Sequence, residues 1–182
     1  MFQTDRFIED CRSALRETHV PHVQAAVVEL VKRAVSDPRQ LMRAVGEPVR
    51  AGVNVIYKAD DLTILNLCWG PQMQFHPHNH QMWAAIGIYA GREDNTFYQR
   101  EGQSLKQHGT KVLNAGDVTP LGKDIIHSVI NPLDQITAAI HVYGGDFFAM
   151  PRSEWDAEKL QEHPYDVAHT MRKFEESNAR LG

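Results

Sequence analysis

From Thr4 to His19 the apolar residues Phe7, Ile8, Cys11 and Leu15 recur at helical spacing, with Thr4 or Asp5 as the cap. A second helix is expected after Pro21, where Val23, Ala26, Val27, Leu30, Val31, Ala34 and Val35 make one apolar stripe that Pro38 ends. Leu41 to Val45 add another turn. From Gly52 to Gly145 the period changes to two, in short segments separated by turn residues. Strands are predicted at Val53–Lys58, Leu62–Trp69, Met82–Ala90, Thr96–Glu101, Ser104–Leu113, Ile125–Ile130 and Ile136–Tyr143. Gly70-Pro71, the run from Gly91 to Asn95, Glu101-Gly102, Ala115-Gly116-Asp117 and Asn131-Pro132 supply the breaks. Short strands at this spacing predict a sandwich or a closed barrel. After Pro151 helical signals return: Ser153 with Asp156 reads as a cap, and Asp166 to Ala179 as a helix with a polar face. The expected layout is a single domain over 1–182, with a helical segment at 1–46, a β barrel at 52–150 and a helical segment at 151–182.

Composition adds a few exclusions. At 182 residues the chain has the length of one ordinary domain, and its 42% hydrophobic and 23% charged residues are those of a globular protein. The apolar stretch from Trp83 to Ala90 is too short to span a bilayer, and the first residues carry no signal-peptide pattern. A net charge of -4 gives no reason to expect nucleic acid or an anionic membrane as partner. Cys11 and Cys68 are too few for a disulfide framework or a thiolate metal site, and fit a reduced, cytoplasmic setting. With ten histidines against two cysteines, any bound metal is expected on imidazole.

Phe75-His76-Pro77-His78-Asn79-His80 places three imidazoles at period two, which on an extended segment puts them on one side. Neutral imidazole is a good ligand for iron, zinc, nickel or copper. The further ligand expected is His127, in the β segment Ile125-Ile126-His127-Ser128-Val129. Three ligands are thus to be drawn from His76, His78, His80 and His127. No Asp or Glu occurs between Gly70 and Gly91, so a facial triad of two histidines and a carboxylate is not supplied there. A centre with only neutral ligands keeps its full positive charge and favours anions such as thiolate or hydroxide.

Gly70 to Gly91, and Gly116-Asp117-Val118 through Pro120, Gly122 and His127 to Asn131, resemble the two cupin motifs. Within the cupins, Leu67-Cys68-Trp69-Gly70, Ile126 to Asn131 and Ile140-His141-Val142-Tyr143-Gly144-Gly145 resemble the thiol dioxygenases, the group of cysteine dioxygenase and 3-mercaptopropionate dioxygenase. The likeness covers Val53 to Arg152. It implies a mostly β cupin fold, a double-stranded β-helix or jelly-roll barrel, with N-terminal helices and short C-terminal helices. It also implies an enzyme that oxidises a small thiol to its sulfinate with O2, and Fe(II) as cofactor, with nickel or zinc able to occupy the site in a crystal.

The family's turn glycine follows its His-x-His pair at the spacing of His80 to Gly91, which selects His78, His80 and His127 as metal ligands and leaves His76 as the substitute. The resemblance assigns His141 and Tyr143 to the pair in which a histidine holds a tyrosine facing the substrate. Arg152 stands where 3-mercaptopropionate dioxygenases carry a carboxylate-binding arginine, and Trp83, beside His80, is expected to line the pocket. Three positions depart from the family: Ala139 replaces a serine, Ala59 a carboxylate-binding arginine after Tyr57, and Ala85 the cysteine that crosslinks to tyrosine in animal enzymes. A 3-mercaptopropionate-like or other small thiol is therefore expected in preference to cysteine. The alternative is a metal-dependent cupin hydrolase or isomerase, or a metal-bearing small-molecule binding protein. The histidines at 19, 22, 163 and 169 fall in expected helices and read as solvated. The oligomeric state is left open.

Overall fold

The computed structural model describes residues 2–17, 20–102 and 104–181; His19 lies outside them. Three helices come first: α1 (Thr4–Glu17), α2 (Val20–Val35) and α3 (Pro38–Val45). Asp37 caps α3, its side chain accepting from the Gln40 amide at 3.1 Å, with Pro38 in the first turn. Nine strands follow: β1 (Gly52–Lys58), β2 (Thr63–Trp69), β3 (Gln74–Asn79), β4 (Ala84–Ala90), β5 (Arg92–Glu101), β6 (Ser104–Asn114), β7 (Val118–Leu121), β8 (Ile126–Ile130) and β9 (Thr137–Tyr143). A hairpin of β10 (Ser153–Trp155) and β11 (Glu162–Pro164) precedes the last helix, α4 (Val167–Arg180).

The strands form two antiparallel sheets, ordered β1-β2-β9-β4-β7 and β11-β10-β3-β8-β5-β6. The chain passes repeatedly from one sheet to the other, so the sheets face each other as a double-stranded β-helix. The mostly β cupin-type barrel expected from the sequence is thus the fold, with helices at both ends. No helix among the described residues is long and apolar enough to cross a membrane.

Period two decides which side each residue serves. On β4, Ala84, Ile86 and Ile88 face the barrel interior with Leu65, Leu67 and Tyr143, while Ala85 and Tyr89 face α1–α3. Both faces of the five-stranded sheet's centre are therefore covered, and β2, β4 and β9 are buried almost end to end. Gly87 makes that cover possible: a side chain there would run into Val31 and Val35 of α2.

The C-terminal expectation needs correction. Ser153 does not begin a helix; it opens β10, and His163 lies in β11 rather than in a helix. β10 extends the six-stranded sheet beyond β3, with Glu154 opposite His78 and the Ser153 amide donating to Asn79 Oδ1 at 3.0 Å. Trp155 anchors the strand, fully buried beside Leu105 and Ile126. Strands of three residues take their identity from the partner strand, so local propensity does not reveal them.

Candidate metal centre

β3 and β8 bring the histidines together. Their register runs Phe75↔Val129 and then His78↔His127, so β3 spends three residues against two on β8. This bulge shifts the alternation, and Phe75 and His78 both face inward. The expectation that His76, His78 and His80 share one side fails at the bulge. His76 turns outward into a surface hollow with Asp156 and His163, its ring centroid 6.3 Å from that of His169.

His78, His80 and His127 converge, each offering a nitrogen within 4.8 Å of the others, and all three are buried. The His78 Nδ1–H donates to the His76 carbonyl at 2.9 Å, which leaves Nε2 as a bare lone pair. His127 is fixed through a longer chain. Trp69 Nε1–H and the Asn95 amide donate to the two carboxylate oxygens of Glu93, at 2.8 and 2.9 Å. Asn95 Oδ1 is thereby turned to His127, whose Nδ1–H donates to it at 2.8 Å. The His127 lone pair then lies on Nε2, 3.1 Å from His80 Nε2. Two nitrogens bound to one ion at about 2.1 Å sit roughly 3.0–3.4 Å apart, so this spacing fits a shared cation. Among the described residues, His80 Nδ1 is buried without a partner, and so are His141 Nε2 and Arg152 Nη1.

Burial sets the protonation of the cluster. It lowers the His78 pKa to about 4, and holds His80 and His127 well below the ordinary 6.5, with neighbouring imidazoles adding to the effect. His78 and His127 present their Nε2 lone pairs to one point; His80 Nε2–H donates to His127 Nε2 there, and a divalent metal would take the place of that proton, moving it to Nδ1. No carboxylate belongs to the cluster, although Glu93 lines the same cavity with its pKa raised by burial. Glu93 and Asn95 are site residues that the sequence pattern does not single out. Nothing in the sequence marks them: Arg92 to Asn95 are all polar, and burial alone separates Glu93 and Asn95 from their neighbours.

Across the cavity, His141 Nδ1 lies 2.9 Å from the Tyr143 hydroxyl. Burial pushes His141 down to about 3, so it carries one proton. An orphaned buried lone pair is more tolerable than an orphaned N–H. That places the proton on Nδ1, donating to Tyr143, and leaves bare the partnerless Nε2. The Tyr143 O–H is then free for the cavity, and burial raises its pKa so that it stays protonated.

Arg152 enters from the segment before β10. Its guanidinium lies against the Phe147 and Tyr165 rings, 3.9 and 4.3 Å from their centroids, and its buried Nη1 has no partner among the described residues. It lines the cavity together with the three histidines and Tyr143.

Trp83 does not line the cavity. It lies on the odd-numbered side of its strand with Ala85, packs toward the helices, and covers Gly144, where any side chain would collide with its ring. Ala85 also faces the helices. Ala84 is the residue paired with Tyr143, so no thiol stands beside Tyr143 in either register. Tyr57 packs toward the helices as well, with Arg12 over its ring, and β1 gives the cavity Val53 instead.

No family model matches the chain. Among solved structures the chain is similar to a conserved protein with a double-stranded β-helix domain from Klebsiella pneumoniae subsp. pneumoniae MGH 78578, at 12% identity and a TM-score of 0.46 over 58% of this chain and 79% of that one. It is similar to a recombinant oxalate oxidase in complex with glycolate, at 13% identity and a TM-score of 0.43 over 52% of this chain and 51% of that one. It is also similar to an oxalate decarboxylase from Lactobacillus farciminis, at 25% identity and a TM-score of 0.40 over 48% of this chain and 25% of that one. The chain thus spans about half of the oxidase and a quarter of the decarboxylase. The chain's own two sheets form a double-stranded β-helix, and it carries a three-histidine cluster able to hold a metal ion.

Proposed function

We propose that the chain is a non-haem iron thiol dioxygenase that converts a small thiol carboxylate to its sulfinate, both atoms of O2 ending on sulfur. The observation that carries this reading is one cavity lined at once by the all-histidine cluster, the His141–Tyr143 pair and the acid-free Arg152. His78, His80 and His127 would hold the ion. When bound, Fe(II) supplies a cationic centre that takes the thiol as its thiolate and the redox capacity that makes O2 reactive.

The chain's own residues supply the rest. Arg152, presenting an unpartnered Nη1, receives the substrate carboxylate, and its two aromatic neighbours fix the plane of the guanidinium. Holding both ends of a short molecule removes its freedom before reaction. Tyr143 keeps a proton on its hydroxyl and offers it to the developing negative charge on oxygen, held in place by His141. The apolar walls keep water from the reacting sulfur.

The test is oxygen uptake and sulfinate formation by iron-loaded protein over a panel of small thiols. Uptake with thiol carboxylates and its loss on zinc substitution are the expected results. No uptake with any thiol sinks the reading. Activity retained with zinc would instead point to hydrolysis or isomerisation, since zinc does no redox work.

A further inference from the structure

The cavity is larger and more apolar than a three-carbon thiol requires. Its volume is about 340 Å³, within the range of roughly 300–1,000 Å³ typical of pockets for drug-sized ligands. Among the described residues, Arg152 is the one cationic side chain other than histidine that lines it, and Glu93 the one acid, already engaged by Trp69 and Asn95. The far wall comes from α4: Phe174 stacks on Trp69 with ring centroids 5.8 Å apart, and Val167 and Met171 continue it toward solvent.

Three exposed apolar side chains stand together at the mouth. Val167 is 55% exposed, Phe148 46% and Met171 43%, and all three line this cavity. Apolar side chains left in water beside a deep apolar pocket mark a binding surface. Here the surface is continuous with a cavity that already holds a guanidinium without an acid partner among the described residues and four imidazoles, so its occupant is a small molecule reaching outward.

We propose that the ligand is a monocarboxylate with an aryl or branched-alkyl body, its acid on Arg152 and its apolar end against Val167, Met171 and Phe148. This deepens the thiol reading and rests on it for the sulfur alone: the substrate class becomes apolar thiol carboxylates larger than 3-mercaptopropionate.

The test uses the full chain without metal and ligands without sulfur. Calorimetric titration with 3-phenylpropionate and with propionate should show the aryl acid binding at least about 10-fold more tightly. Met171→Gln, which removes apolar surface at the mouth without adding charge, should remove most of that preference. Equal binding of the two acids, or binding of neither, overturns the proposal, as does a Met171→Gln variant that keeps the preference. The outcomes separate the two claims. Aryl-acid preference without oxygen uptake on any thiol would leave the ligand class standing and remove the dioxygenase reading. Oxygen uptake with three-carbon thiols and no aryl preference would do the reverse.

Discussion

His141 Nδ1 lies 2.9 Å from the Tyr143 hydroxyl, two residues away on the inner face of β9. Both groups are buried, and neither has another side-chain partner among the described residues. The pair therefore acts as a unit: the imidazole aims the hydroxyl, and the hydroxyl satisfies the imidazole. Tyr143→Phe should leave bound iron unchanged and lower kcat/KM by roughly 10²-fold or more, the usual worth of a positioned proton donor. It also strands His141 Nδ1, at about 1–3 kcal/mol. For a chain of this size that lowers Tm by about 2–4 °C per kcal/mol. Unchanged kcat/KM in a folded, iron-loaded variant would remove Tyr143 from the chemistry.

The bulge in β3 separates His76 from His78, and metal analysis reads this directly. Alanine at His78, His80 or His127 should abolish stoichiometric metal. Alanine at His76, which faces the outer hollow, should leave it intact. Loss of metal in the His76 variant would mean that the bulge is misassigned.

How much of this was legible in the chain follows from the physics of each element. Helix stripes and long strands announce themselves by period, and the helices from Thr4 and after Asp166 and the strands around Cys68, Ile88 and Ile140 lie where the pattern put them. The three-residue strand carrying Ser153 was not visible, because its reason to exist is the edge of β3. Trp83 was misjudged for a related reason. Adjacency to His80 suggested the pocket, but one step along a strand reverses the face. His76 could not be separated from its neighbours by counting, since a bulge leaves no mark in composition. The resemblance, by contrast, selected the three histidines that the fold brings together.

Glu93 governs His127 without touching it. Its two oxygens accept from Trp69 and Asn95, and this fixes which end of the Asn95 amide meets His127. Glu93→Gln replaces an acceptor with a donor, so one contact becomes donor against donor or the Asn95 amide flips. A flipped amide presents N–H to His127 and drives the ring proton toward Nε2, the metal-facing nitrogen. Iron affinity should fall by about 10–100-fold in Glu93→Gln and in Asn95→Leu, measured by competition with a chelator. Equal affinities in wild type and both variants would show that His127 is oriented by packing alone.

Arg152 carries its charge without an acid partner, so it should act in binding more than in turnover. Arg152→Lys keeps the charge but loses the flat fork lying against Phe147 and Tyr165. KM for a thiol carboxylate should rise by about 10-fold or more, with a smaller change for the corresponding thiol amide. A similar rise for both would assign Arg152 to packing.

The histidine cluster also fixes how the metal-free protein responds to acid. His78 and His141 have pKa values lowered by burial to about 4 and about 3, against 6.5 when the chain unfolds. Between those limits the unfolded chain binds more protons than the folded one, so stability rises with pH and falls on acidification. The loss should begin as pH drops below 6.5 and continue to about 4, where His78 protonates in the folded state. His80 and His127, shifted the same way, steepen the slope. Bound metal should protect at neutral pH and lose its hold in the same window, because protons compete for the ligand nitrogens. Urea unfolding of metal-free protein at pH 7.5, 6 and 4.5 tests this. The His141→Asn variant should show a shallower decline than wild type, since one of the groups that must charge on unfolding is gone. A wild-type midpoint that stays flat across the window would mean that these imidazoles are solvated, and the closed cluster would be wrong.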